Sequence, residues 1–257
     1  MNLGISTLFV LSRPFEEAIR EIESFDICYV EIVDDGGHAL HPSRVRLLNE
    51  KKATNNWQYS VHAPFSDVNI ACHDPSLRRA ITSRLENSIR YASQVDATVW
   101  VFHPGASTAL EPFYPGKSWS LNLESVRHLS RIASDFGVKA AIENVPEPFP
   151  FLLKSVEDFE RFYDELREEL SMVLDIAHAN IKGESLRFLE HLGSRIAHIH
   201  ASDNLADQDT HMQIGKGTVR WTEIVKHLRT IDFKGCIIVE SKEGAQESLT
   251  YLRKLID

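Results

Sequence analysis

Ala140-Ala141-Ile142-Glu143, then the segment Val156–Glu169, then Met172-Val173-Leu174-Asp175 read as strand, helix and strand in succession. Short apolar runs of this kind, bounded by polar or turn-forming residues, are the pattern of strands buried on both faces of a parallel sheet. The same alternation recurs eight times. Strands are predicted at Leu3–Ser6, Ile27–Val33, Tyr59–His62, Thr98–His103, Ala140–Glu143, Met172–Asp175, Ile196–Ala201 and Cys236–Glu240. Helices are predicted at Pro14–Ser24, Ser43–Lys52, Leu77–Gln94, Leu121–Phe136, Val156–Glu169, Ser185–Leu192, Trp221–Thr230 and Ala245–Leu255. Leu77, Ile81, Leu85, Ile89 and Ala92 fall at helical spacing, and Gly137 stands where a helix C-cap belongs. Eight such units in 257 residues predict an α/β protein, a single (β/α)8 TIM barrel over residues 1–257. A doubly wound sheet would carry a glycine-rich phosphate turn after its first strand, where this chain has Ser6-Thr7-Leu8-Phe9.

The composition sets limits on function. Hydrophobic residues make up 43% and charged residues 25%, which excludes a disordered or fibrous chain. With 28 Lys+Arg against 37 Asp+Glu, the net charge of −9 argues against a strongly basic nucleic-acid face. Cys28, Cys72 and Cys236 lie far apart and form no C-x-x-C pair, so reduced thiols are expected. Neither a signal peptide nor an apolar stretch of about 18 residues is evident. The expectation is a cytoplasmic protein with no membrane partner.

A barrel builds its active site at the carboxyl ends of its strands. Six predicted strands end in, or run into, side chains able to bind a metal. These are His62, His103, Glu143, Asp175 with His178, His200 followed by Asp209 and His211, and Glu240. Each alone is as well explained by a cap or a surface hydrogen bond. Gathered on one face, imidazoles and carboxylates without matching Lys or Arg need a cation to neutralise them. Mixed nitrogen and oxygen donors suit Zn2+ or Mn2+ better than Ca2+ or Mg2+.

The strand-end motifs Val61-His62, Phe102-His103-Pro104-Gly105, Ile142-Glu143-Asn144 and Leu174-Asp175-x-x-His178 resemble the xylose isomerase-like TIM-barrel superfamily. So do His200-Ala201-Ser202-Asp203 and Ile238-Val239-Glu240. That superfamily holds endonuclease IV (AP endonuclease family 2) as well as many sugar and sugar-phosphate isomerases and epimerases. Asp209-Thr210-His211 followed by Gly215-Lys216-Gly217 is similar to the endonuclease IV pattern. That resemblance implies up to three zinc ions. His62 and His103 would bind one and share Glu143 as a bridge, Asp175, His200 and Glu240 would complete the second, and His178, Asp209 and His211 would hold the third. A hydroxide between two metals would then attack phosphorus.

Two readings follow. The first is a multi-zinc phosphoester hydrolase of the endonuclease IV type, acting on abasic DNA or a small phosphorylated substrate. The alternative is a sugar or sugar-phosphate isomerase or epimerase. It needs one divalent ion on Glu143, Asp175, His200 and Glu240, with Glu143 and Glu240 as the acid–base pair and His178 on a hydroxyl. The ligand set favours the first. The loops favour a small substrate, because Asp34-Asp35, Asp203 and Asp207 are acidic and Arg13, Lys117, Lys182, Lys216, Arg220 and Lys242 are scattered. A structural, non-catalytic protein would instead plug the cluster with Phe149 and Phe151, which are otherwise expected to pack on the barrel. His198 is expected in the core, His38, His41 and His73 in solvated loops, and His128, His191 and His227 on helix exteriors. Asp203 is either an imidazole-orienting acid or a turn residue, and Gly215 and Gly217 serve a tight loop.

Overall fold

A computed structural model describes residues 1–257. Eight parallel strands close in chain order: β1 (Asn2–Ser6), β2 (Tyr29–Val33), β3 (Gln58–His62), β4 (Trp100–Phe102), β5 (Ala140–Glu143), β6 (Ser171–Asp175), β7 (Ile196–Ala201) and β8 (Cys236–Val239), with β8 back against β1. The helices between them are α1 (Phe15–Ile22), α2 (Pro42–Asn55), α3 (Pro75–Gln94), α4 (Lys117–Asp135), α5 (Val156–Leu166), α6 (Ile176–Ile181), α7 (Ser185–Leu192), α8 (Trp221–Thr230) and α9 (Ala245–Ile256). The barrel expected from the sequence is the fold observed, and no helix is long and apolar enough to cross a membrane.

Side chains alternate across a strand, so each strand splits its residues between two environments. One set joins the helices in a large apolar cluster. Ile32, Trp100, Ile142 and Ile199 meet Phe15, Leu85, Phe159 and Phe188 there, all of them buried. The other set fills the barrel. Val99, Val101, Ala141 and Val173 form a separate small apolar cluster. Glu31, Ser60 and His198 are also buried, and the strand register pairs Glu31 with Ser60 and Val173 with His198.

Register decides which side chains reach the top of the interior. Met172 pairs with Ile196, but the next pair is Val173 with His198, so the ladder skips Ala197. This bulge puts His200 opposite Asp175, in phase with the inward set. Without the skip, Asp175 would face Ile199.

Several element bounds shift by a few residues from the sequence expectation, as where α4 starts at Lys117 and β8 ends at Val239, and three differences bear on the strands and the site. β4 is shorter than Thr98–His103, which leaves His103 just beyond the ladder. β2 starts at Tyr29 rather than Ile27. Helix α6 was not anticipated, because it follows β6 with no loop and spans six residues, too few to show periodicity. Asp175 caps it, accepting from the His178 backbone N–H at 2.7 Å.

Gly4 shows how tightly the strands approach. A Cβ there would lie 2.6 Å from the Tyr29 carbonyl oxygen and 2.6 Å from Ile238 Cδ1. The backbone oxygen cannot yield without opening the β1–β2 pairing. Gly4→Ala is therefore expected to lower unfolding free energy by about 1–3 kcal/mol, the usual cost of overpacking, as measured by urea denaturation.

Candidate metal centre

All nine residues singled out by the sequence come together at the carboxyl end of the barrel. His62, Glu143 and Asp175 close β3, β5 and β6, and His200 lies in β7. His103 and Glu240 follow β4 and β8 by one residue, His178 sits in α6, and Asp209 and His211 lie in the long β7–α8 loop. All are buried except His103 and Asp209, which are partly exposed.

Glu143 is the hub. Its Oε2 is 3.3 Å from both His62 Nε2 and His103 Nε2. Its Oε1 is 3.1 Å from His200 Nδ1 and 3.5 Å from His178 Nδ1. His200 Nδ1 is also 3.6 Å from Glu240 Oε2. Asp209 Oδ2 lies 3.4 Å from His178 Nε2 and 3.2 Å from His211 Nε2. Donor atoms of Asp175, His200 and Glu240 lie within 4.8 Å of one another, and so do those of His178, Asp209 and His211.

Neighbouring groups aim these rings. His62 Nδ1 donates to the Ala63 carbonyl at 2.8 Å, His178 Nδ1 to that of Asn144 at 2.9 Å, and His211 Nδ1 to that of Glu240 at 3.1 Å. A carbonyl oxygen can only accept, so each ring keeps a proton on Nδ1 and turns Nε2 toward the site. Asn144 also clamps Asp175, accepting from its N–H at 2.8 Å and donating to its carbonyl at 3.0 Å.

Asp203 resolves as the organiser of the β7–α8 loop and touches no imidazole. It accepts from the backbone N–H groups of Asn204, Gly215 and Val219 at 3.0, 2.9 and 3.1 Å, and from Trp221 Nε1 at 3.3 Å. Gly217 is required by this packing, since a Cβ there would sit 2.2 Å from Asp203 Oδ1. The loop that carries Asp209 and His211 is held from its far end.

Above the cluster is an open cavity of about 420 Å³. Its other wall is apolar, with Leu8, Val33, Phe65, Pro146, Phe149 and Phe151, and Lys242 is its one cation. Phe149 and Phe151 thus border the mouth instead of packing against the barrel exterior or filling the site. His38 is another correction: it is buried, edge-on to Phe15 with Nε2 bonded to the Arg13 carbonyl at 3.0 Å. Asp34 is also turned inward, held by Arg84 at 2.6 Å.

A sequence profile of the xylose isomerase-like TIM barrel matches residues 19–255. The chain belongs to this family. Within the xylose isomerase-like family, the protein MJ1311 of Methanocaldococcus jannaschii is 31% identical over 252 residues, covering 94% of this chain and 84% of that one. A D-psicose 3-epimerase of Ruminiclostridium cellulolyticum is 21% identical over 190 residues, covering 70% of this chain and 61% of that one. The crystal structure of a D-tagatose 3-epimerase-like protein superposes with a TM-score of 0.94 at 29% identity, covering 100% of this chain and 97% of that one.

The donor set of this xylose isomerase-like chain fits a cation. Its carboxylates face only imidazoles, with no Lys or Arg in ion-pair range. Glu143 Oε2, Asp175 Oδ2 and Asp209 Oδ1 are buried without an aligned hydrogen-bond partner. Burial would raise the Glu143 carboxyl, but the charges of His200 and His103 hold it well below the usual range. Burial, reinforced by the charges of Glu31 and Glu143 and opposed by His200, pushes Glu240 up to about 7. Burial would depress His62, yet Glu143 lifts it to about 9. His178 reaches about 10 against the same effect, through Asp175 and Asp209.

A divalent ion needs the lone pair of His200, itself raised well above its ordinary value by the carboxylates around it, and repels protons held by His62 and His178, so its binding releases protons. The sign is fixed. Apparent ion affinity falls as pH drops through the raised histidine values toward neutrality and below. Calorimetric titration of ion-stripped protein in buffers of different ionisation enthalpy is expected to show proton release at neutral pH.

Proposed function

We propose that this chain is a divalent-metal-dependent isomerase or epimerase of a small sugar, with Glu143 and Glu240 as its acid–base pair. One observation carries this reading. Glu143 and Glu240 stand 3.1 and 3.6 Å from the same His200 nitrogen, at the floor of a cavity near the small end of the roughly 300–1,000 Å³ range of small-molecule sites. Their environments push the two carboxyls apart, Glu143 down and Glu240 up, which is the arrangement that lets one act as base and the other as acid. The D-psicose 3-epimerase and D-tagatose 3-epimerase-like relatives support the same class.

In this scheme Glu143, Asp175, His200 and Glu240 would hold the ion. When bound, a divalent ion polarises the substrate carbonyl and offsets charge developing on its oxygen. One glutamate takes the proton from the carbon beside that carbonyl, and the other returns a proton to the opposite face, inverting the centre. His178, fixed by Asn144 and Asp209, contacts a sugar hydroxyl. Phe65, Phe149 and Phe151 give the cavity an apolar wall against which the carbon face of a sugar can lie.

Multi-zinc phosphoester hydrolysis, the first reading of the ligand set, is retained as a second reading on one ground. His62, His103, Asp209 and His211 converge on the site, and a single ion does not need them. The rim speaks against duplex DNA as the substrate. Arg13 pairs with Glu21, Lys182 with Glu147 and Arg220 with Glu223, and Lys242 is the single Lys or Arg on the cavity wall, too little for a basic track.

The deciding experiment incubates the Mn2+- and Zn2+-loaded protein with D-psicose, D-tagatose and their phosphates in D2O, beside a duplex bearing an abasic site. Epimer formation with deuterium at the inverted carbon is the expected result. Glu143→Gln and Glu240→Gln are each expected to lower turnover by about 10²–10⁴-fold. Strand cleavage without sugar exchange would replace this reading with the second.

A further inference from the structure

Beneath the ligand layer lies a carboxylate for which the proposed reaction has no use. Glu31, in the middle of β2, is fully excluded from solvent. Its Oε2 accepts from Ser60 Oγ at 2.9 Å and from His198 Nε2 at 3.0 Å. Its Oε1 lies 3.0 Å from His200 Nε2. No Lys or Arg reaches it. Elsewhere in the interior other strands place Val101, Ala141 and Val173, and an apolar side chain would avoid the cost of burying charge.

Two features define what Glu31 does. Ser60 and His198 both bind one oxygen, which fixes the plane of the carboxyl group and leaves Oε1 for His200. His200 is also turned the opposite way from its neighbours. His62, His178 and His211 are each held through Nδ1 by a backbone carbonyl. His200 instead turns Nδ1 toward Glu143 and Glu240, and the acceptor beside its Nε2 is Glu31.

We infer that Glu31 is a positioning residue: it holds His200 with its proton on Nε2, so that the Nδ1 lone pair faces Glu143 and Glu240, while Ser60 and His198 hold Glu31. The inference rests on the proposed role of His200 as a metal ligand. It differs from a simple core ion pair in one respect. Glu31 Oε1 and His200 Nε2 are close but not in line, and neither has an aligned hydrogen bond. The aligned bond of this ring is instead from Nδ1 to Glu143 Oε1 at 3.1 Å, the contact that a bound ion would replace as the proton moves to the Nε2 side facing Glu31. A carboxylate behind a ligating imidazole is the usual means of fixing its tautomer and strengthening it as a donor, and removing such a partner costs about 10–100-fold in metal affinity or activity.

The test is direct titration of ion-stripped wild type, Glu31→Gln and Ser60→Ala with Mn2+ and with Zn2+, followed by calorimetry. Melting temperatures are recorded without ion. Glu31→Gln is expected to weaken binding by about 10–100-fold, and Ser60→Ala by a few-fold, with far-UV circular dichroism unchanged. In zinc-loaded protein labelled with 15N-histidine, the wild-type His200 ring is expected to show bound Nδ1 and protonated Nε2, a signature lost in Glu31→Gln. Equal affinity of wild type and Glu31→Gln overturns the inference. So does a lowered melting temperature with ion affinity intact, which makes Glu31 a core residue only. If Glu31→Gln does not fold, Ser60→Ala decides, and wild-type affinity there overturns it. Wild type that binds the ion tightly but exchanges no sugar proton sinks the proposed reaction alone, because the Glu31 comparison is read from affinity and not turnover. Wild type that binds neither ion overturns both.

Discussion

In a closed barrel of parallel strands, side chains two residues apart share the interior, and this parity governs the chemistry at the carboxyl ends. Each strand delivers one residue to the top layer and the residue two before it to the layer beneath. Glu143 therefore stands above Ala141, His62 above Ser60, and His200 above His198. Four donors of the top layer need no loop to place them, because β3, β5, β6 and β7 end with them in position. His103 and Glu240 follow their strands by one residue and His178 sits in α6, whereas Asp209 and His211 depend on a long loop, which Asp203 ties down.

Electrostatics then closes on itself. The acids at the mouth face imidazoles and nothing more basic, so their charge is offset either by protons on those imidazoles or by a metal ion. Glu143 and Glu240 part company because their neighbours differ. His200 and His103 pull Glu143 down, while burial and the other carboxylates push Glu240 up. One cluster of similar side chains thereby acquires distinct acid and base members, with no difference in residue type to announce it.

The barrel was legible because its strands are nearly unbroken apolar runs and its helices have strong periodicity. The nine donors were legible because each stands at a strand end or in a strand-end motif. Helix α6 was hidden by its brevity and by Asp175 serving both β6 and the cap. Glu31 was hidden by a different cause: within Tyr29-Val30-Glu31-Ile32-Val33 it breaks an apolar strand, a signal that a partner waits in the interior, but that partner, His198, is 167 residues away. His38 looked like a solvated loop residue because the packing of Phe15 over it is tertiary. Hydrolysis and epimerisation were not separable from ligand types alone, since both chemistries draw on the same donors. The wall built by Phe65, Phe149 and Phe151 and the pairing of the rim cations exist only once the loops are folded.

Strand register has integer settings, and the skipped Ala197 chooses one of them. A chain can lengthen or shorten the loops above this barrel by many residues and keep the same donors, since strand ends place most of them. The pairing of β7 with β6 has no such latitude, because it shifts only by whole residues. Pairing β7 to β6 without the skip would put Ala197 and Ile199 opposite Val173 and Asp175, where the two imidazoles stand. Divergence at this point is therefore abrupt, not gradual. The skip between Ile196 and His198 is thus what turns His198 and His200, and not Ala197 and Ile199, toward Glu31 and Glu143.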